Sequence, residues 1–554
     1  MMDLSGNNKA AYQTVFWTVL LCSTFLFAVK ALIITDISLL DECHQIATSY
    51  RFWMGDAPLV DDWTPIQLHS IVLLPFVTVY MLVCHTTSGI VFFLRIVYLT
   101  LKLLIAVYAY RRLKNNPNQT AILCGIFIWY FFSPFNIDTL TYQEVPLMMM
   151  VLGFAIMMSG SIKSYDYTIL GFLLAVCILS QPFFVLVYPL ILLAAIMKIH
   201  ETKQRSDSLK HLLYFHVGIL IVFLPFCFLV FSRASVKELM VNTPYIFRDQ
   251  DHNVNDSGIT GLLYNNLYTT GKAMIKSGLI TAFVNGAYIL LLILAKTKRD
   301  LLKPGMLICL CISAVSIVAS FPTFPMNFIF IPFAWFSIEI LFFCENRLYP
   351  FLLVISFVYT ASVALSTNTG ALATSCGFCA SAVLAFWNMD YENTVNHTLQ
   401  AVCSCLILFL CIGLHLTFTW KREIISLDNY KFQIDEGPMK GLYADKQRYL
   451  DYYGIWDDVQ DLRLTENDII FSGTSSPLVY LNAQVKYGTM ATGFFELPFH
   501  RVNDYYSLHP DRYPTVVYFN EKDIGVETLK KIDVLFDIEH VHHAKAGTVF
   551  WQQN

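Results

Sequence analysis

Charge is scarce along most of this chain. Asp, Glu, Lys and Arg make up 14% of its 554 residues, against 56% hydrophobic residues, whereas soluble domains carry about 25% charged residues. That balance excludes an ordinary soluble protein. The net charge of −4 offers nucleic acid no basic surface. The sequence also contains no P-loop, no GxGxxG after a strand, no HExxH and no GxSxG. Cysteine stops before residue 421. Nearly all fourteen cysteines sit in apolar runs, including the Cys376/Cys379 pair, so core packing is expected there rather than zinc or disulfides. The first apolar run, 12–34, is too long for a signal-peptide core and lacks a cleavage site, so it reads as a retained span.

What the chain does have is apolar segments of about 20 residues, recurring over most of its length. The composition then shifts, because residues 421–554 hold 34 of the 78 charged residues. The expected fold is a polytopic α-helical membrane protein of about 12–13 transmembrane helices, residues 1–420. A soluble mixed α/β domain, 421–554, follows it. Strand-like runs at Asp468–Ser472, Leu478–Leu481 and Thr515–Phe519, with another at Leu529–Phe536, support that domain type.

Basic clusters at 111–114, Lys163, 198–210, 296–303 and Arg347 mark cytoplasmic loops. The N-terminus is then cytoplasmic. Loops 35–65, 137–144 and 232–272 and the C-terminal domain lie outside. No cytoplasmic loop is long enough for a nucleotide-binding domain, so any chemistry belongs to the outer face or the membrane. Segment 66–86 disturbs the alternation. Carrying Gln67, His69 and Pro75, it is expected to dip in and return, to lie in the interface, or to be the thirteenth span.

The densest acid lies beside the first span: six carboxylates from Asp36 to Asp62 against Arg51 alone. Residues 39–53 read as an amphipathic helix lying on the membrane. Leu39, Cys43, Ile46, Tyr50 and Trp53 form its lower face, and Asp41, Glu42, Gln45 and Ser49 point away. A capping box from Ser38 to Asp41 accounts for one acid, not for six.

Asp41-Glu42 opening the helix, then Gly55-Asp56 and Asp62-Trp63-Thr64-Pro65, resembles the first outer loop of the GT-C class of membrane glycosyltransferases. The similarity is to the branch of protein O-mannosyltransferases and the enzymes that add aminoarabinose to lipid A. It covers roughly residues 10–200. Thr141-Tyr142-Gln143-Glu144-Val145-Pro146 resembles the family's second outer-loop acid, with Glu144 for the usual aspartate and Asp138 as a rival. Phe93-Leu94-Arg95-Ile96 resembles its early arginine. Where the family often has a lysine between two later spans, this chain has Ser180-Gln181-Pro182.

The resemblance implies sugar transfer from a polyprenyl-phosphate donor to a hydroxyl of a glycan, lipid or protein, by inverting displacement on the outer face. Asp41 would be the base, with Glu42 beside it and Glu144 or Asp138 positioning the acceptor or acting as a second base. The departing phosphate needs fixed positive charge. Arg95, embedded in an apolar run, is the first candidate. His69 is a second, against the plainer role of a core histidine, and Arg248 and Lys272 of loop 232–272 are others. Lys102 is expected to snorkel toward the cytoplasmic side. No cofactor is required, although an acidic loop can hold a divalent cation through oxygen ligands. The rival class is a transporter or lipid flippase, which many spans and an intramembrane arginine also suit.

Overall fold

The computed structural model describes residues 4–32, 41–65, 67–116, 118–201, 205–246, 264, 268, 272, 279–295, 299–320, 330–365, 375–389, 394–417, 426–473, 476–493, 499–520, 526–536 and 540–551. Helices fill the first part: α1 (Leu4–Leu32), α2 (Asp41–Met54), α3 (Gln67–Cys84), α4 (Ile90–Leu113), α5 (Gln119–Tyr130), α6 (Glu144–Met158), α7 (Ser164–Ser180) and α8 (Val187–Glu201). They continue with α9 (Arg205–Phe231), α10 (Val236–Ile246), α11 (Leu279–Leu294), α12 (Lys303–Ser320), α13 (Phe330–Ile340), α14 (Leu348–Leu365), α15 (Ser375–Trp387) and α16 (Thr394–Thr417). Among the described residues, five helices are long and apolar enough to cross a membrane (α1, α3, α4, α9 and α14), and nine shorter apolar helices accompany them. The chain is a polytopic helical membrane protein.

Helices such as α6 are apolar all round, which suits burial among other helices rather than at a water surface. Backbones approach closely where side chains vanish. A methyl group added to Gly171 of α7 would stand 1.9 Å from the Phe215 carbonyl oxygen of α9, and one on Gly218 would stand 1.9 Å from that of Thr168. Small residues permit such crossings in membranes. Cys376 and Cys379 are wholly buried in the core on α15.

The C-terminal region forms α17 (Lys446–Asp461), α18 (Leu478–Ala483), α19 (Phe499–Leu508) and α20 (Val526–Leu535). Its strands are β1 (Phe432–Gln433), β2 (Tyr443–Ala444), β3 (Ile469–Ser472), β4 (Lys486–Tyr487), β5 (Val516–Asn520), β6 (His540–His543) and β7 (Gly547–Trp551). The five-stranded sheet has the order β4-β3-β5-β7-β6. The first three strands are parallel, and β7 is antiparallel to both its neighbours. Two expected strands are helices. Leu478–Leu481 is too short for period to separate strand from helix, and Pro477 precedes it as the N-cap of α18. Residues 529–535 fall in α20, where Ile532 and Leu535 are buried three positions apart, the spacing of a helical face.

Residues 67–84 form one continuous helix, α3, with Pro75 inside it. Both its ends are fastened to the C-terminal region. Before it, the Trp63 amide donates to the Met490 carbonyl at 2.8 Å. After it, Thr87 Oγ1 donates to the Leu481 carbonyl at 2.7 Å, and the Gly89 amide to that of Gly437 at 2.9 Å. A helix of this length runs about 27 Å. Its flanking segments on both sides thus meet the C-terminal region. The apolar face of α2 does not rest on lipid. Cys43, Ile46, Ala47 and Tyr50 are buried in one core with Val77 and Met81 of α3 and with Ile434, Met439, Tyr452 and Tyr487 of the C-terminal region.

Candidate active site

Helix α4 carries Arg95, Tyr98 and Lys102 at steps of three and four, so all three lie on one side. Each reaches a different element. The Arg95 fork grips Glu42 of α2, Nε to Oε1 at 3.0 Å and Nη2 to Oε2 at 2.7 Å, while Nη1 donates to the Ala31 carbonyl of α1 at 2.9 Å. Tyr98 Oη lies 2.8 Å from Ser133 Oγ, which donates to Asp138 Oδ1 at 2.8 Å. Lys102 Nζ stands 3.1 Å from Glu144 Oε1 and donates to the carbonyls of Phe132 and Tyr130 at 2.5 and 3.2 Å.

Two further groups complete the row. Lys30 of α1 pairs with Asp138 at 2.9 Å and donates to Asn136 Oδ1 at 3.1 Å. His415 Nε2 of α16 lies 3.3 Å from Lys30 Nζ and 3.7 Å from Asp138 Oδ1. Glu42, Asp138 and Glu144 thus stand against Arg95, Lys30 and Lys102, all six buried. Burial pushes the Asp138 carboxyl up, but Lys30 and His415 outweigh it and hold the group below the ordinary carboxylate range. Glu144 is wholly buried, and among the described residues no donor but Lys102 is aimed at either carboxylate oxygen.

The structure therefore brings together Glu42, Asp138, Glu144 and Arg95. The Arg95 fork expected to meet phosphate is occupied here by Glu42. Lys102 does not snorkel. It is fully buried and turned to Glu144, because the carboxylate and two free carbonyls compensate its charge inside the bundle. His69 sits between Ser180 Oγ at 3.1 Å and the Leu140 carbonyl at 2.9 Å. With Gln181 Nε2 donating to the Tyr142 carbonyl at 3.2 Å, it ties the Ser180-Gln181-Pro182 break to the loop that bears Asp138. Lys272 is exposed, 5.4 Å from the Tyr268 ring centroid. The side chain of Asp41 and all of Arg248 lie outside the described residues. Lys30 and His415 were missed in the sequence. A lone lysine near the end of the first span and a histidine in the last one were the available signals.

The other acids of the first loop serve a different network. Arg51 of α2 is wholly buried, with Nε on Asp56 at 2.7 Å, Nη1 on Asp62 at 3.1 Å and Nη2 on the carbonyls of Asp61 and Thr489 at 2.9 and 3.0 Å. Arg512 of the C-terminal region pairs with Asp56 at 2.7 Å and Asp61 at 3.1 Å. Arg233 donates to the carbonyls of Phe52 and Asp56. Trp63 Nε1 and His509 Nε2 both reach Asn242 Oδ1 at 2.9 Å. These contacts clasp the loop after α2 to α10 and the C-terminal region. Among the described residues, no group of three His, Cys, Asp or Glu side chains is placed to hold a metal ion.

No family model matches the chain, and no curated protein matches it. Among solved structures, it is similar to the crystal structure of ArnT from Cupriavidus metallidurans bound to undecaprenyl phosphate, at 12% identity and a TM-score of 0.40, over 98% of each chain.

Proposed function

We propose that this protein is an integral-membrane glycosyltransferase that moves a sugar from a polyprenyl-phosphate donor to an acceptor hydroxyl on the extracytoplasmic face. The observation that carries the reading is the buried row at the C-terminal-domain end of the bundle. Three carboxylates from separate segments, Glu42, Asp138 and Glu144, meet three cations from α1 and α4 there. Displacement at an anomeric carbon needs both signs together. A carboxylate takes the proton of the attacking hydroxyl, and fixed cations stabilise the phosphate as it leaves.

Asp41, the first residue of α2, is the base in this reading, and Arg95 holds the neighbouring Glu42 in place. Lys30 and Lys102 supply positive charge to the departing phosphate, and Asp138 and Glu144 orient them. An apolar cavity of about 210 Å³, lined by Met150, Phe154, Cys177, Phe184, Phe215 and Ile355, offers the isoprenoid a path. Its Phe184 packs edge-on against Tyr359 at 5.6 Å, and Tyr359 donates to the carbonyl of Gln143, next to Glu144. The cavity is thus linked to the charged row through Phe184, Tyr359 and Gln143.

The test is sugar transfer from synthetic polyprenyl-phosphate sugars by the full chain in lipid nanodiscs. Wild type is expected to transfer and Asp41→Asn to lose at least about a hundredfold, the lower end of a general base's contribution. Unchanged turnover in Asp41→Asn removes that residue from the mechanism. Movement of the lipid across the bilayer with no transfer favours a flippase instead.

A further inference from the structure

Gln45 and Ser49 of α2 lie near the charged row yet join none of the networks described above. Gln45 and Ser49 follow Asp41 at successive steps of four on α2, so positions 41, 45 and 49 form one stripe of the helix. Gln45 is 1% exposed and Ser49 0%. Among the described residues, Gln45 Nε2, Gln45 Oε1 and Ser49 Oγ have no hydrogen-bond partner. Most other side chains of α2 have a defined place. Glu42 is held by Arg95, and His44 and Thr48 meet Thr492 at 2.8 and 2.9 Å. Arg51 is in the clasp, and Cys43, Ile46, Ala47 and Tyr50 are in the core. Buried polar atoms nearly always find partners, and leaving them without one is destabilising. A stripe of three such atoms, beside the proposed base, is where a ligand's own polar groups would be received.

We propose that Gln45 and Ser49 are the subsite for the hydroxyl groups of the donor's sugar. This rests on the transferase reading above. The chemistry selects the ligand class. A primary amide and a hydroxyl are neutral, and each both donates and accepts, as sugar hydroxyls do. They suit neither a phosphate, which calls for cations, nor an isoprenoid. Gln45 and Ser49 stand about 6 Å apart along the helix axis, comparable to the breadth of one pyranose ring. The same helix then presents the base at its first residue and reads the sugar over its next two turns.

The test measures binding to the full chain in nanodiscs of two probes: a synthetic polyprenyl-phosphate hexose and the same polyprenyl phosphate without sugar. Gln45→Met and Ser49→Ala are each expected to weaken the sugar-bearing lipid about tenfold, the worth of one neutral hydrogen bond, and to leave the bare lipid unchanged. Both are also expected to raise the thermal midpoint of the ligand-free protein, since each removes orphaned polar atoms. Equal weakening of both lipids, weakening of neither, no binding of the sugar lipid by wild type, or a fall in the ligand-free midpoint would overturn the proposal. Wild type that binds the sugar lipid through these residues yet transfers nothing keeps the subsite and removes the transferase reading. Transfer by wild type with unaltered binding in both variants does the reverse.

Discussion

The two buried charge networks of this protein differ in one respect. Around Arg51, three nitrogens of the guanidinium are engaged, and Asp56 and Asp61 also meet Arg512. Asp62 in addition accepts from the Thr64 amide at 2.8 Å and its hydroxyl at 2.5 Å. That network is saturated. Along α4, and among the described residues, Glu144 has an ion pair and no further donor, and Gln45 and Ser49 of α2 have no hydrogen-bond partner. A saturated network is complete without a ligand, and its job is to fix α2 against the C-terminal region. An unsaturated one retains capacity to bind, which is why the functional reading falls on the row and not on the more acidic loop.

The largest effect should come from the clasp. Arg51→Ala leaves Asp62, wholly buried, without its cation, and breaking a buried pair on one side costs about 3–5 kcal/mol. Thermal unfolding of the purified chain should show a loss of that order. Arg51→Ala with an unchanged midpoint would mean the clasp is not what seats the domain. Lys102→Met strands Glu144 in the same way, but Lys102→Met/Glu144→Gln should recover most of the stability, with a coupling of about 1–3 kcal/mol. Sugar transfer should stay absent in the double variant. Recovery of both stability and transfer would make that pair structural and erase the contrast between the networks. Trp63→Phe is a milder probe. It removes the indole donor to Asn242 Oδ1 and part of a fully buried ring, and should cost about 2 kcal/mol, one hydrogen bond plus a small cavity, with transfer intact.

The sequence pattern carried the helical class, the strands at 469–472 and 516–520 and the amphipathic α2, whereas Glu42, Asp138, Glu144 and Arg95 were singled out only by the resemblance to the GT-C class. It did not carry the use of the acids. Asp56, Asp61 and Asp62 looked unmatched because only Arg51 lies near them in the chain, whereas Arg512 arrives from a residue more than 400 positions away. Lys102 was misread for the same reason: its carboxylate partner opens α6, and the carbonyls it satisfies lie at the end of α5 and just beyond it. Local composition reports an excess of charge but not the distant segment that balances it. The two helices taken for strands show a second limit, since short apolar runs fit both periods until packing chooses.

The smallest effect separates the networks by pH. His509 lies in the clasp, its Nε2 on Asn242 Oδ1 at 2.9 Å and its Nδ1 4.0 Å from Asp61 Oδ1, with Arg512 nearby. Burial holds its imidazole below the ordinary value of 6.5, and Asp61 only partly offsets this. In the unfolded chain the ring takes up a proton as pH falls through 6.5, while in the folded protein it does so only at lower pH. The unfolded state therefore binds more protons in that window, and stability falls on acidification below 6.5. Burial pushes the Asp61 and Asp62 carboxyls up. Those groups favour the folded state as they protonate, so they oppose the trend at lower pH. His509→Gln, whose amide can still donate to Asn242, isolates the histidine. Its thermal midpoint should vary less with pH between 7 and the lowered folded value than that of wild type. An identical slope in the two proteins would remove His509 from the proton linkage of the clasp.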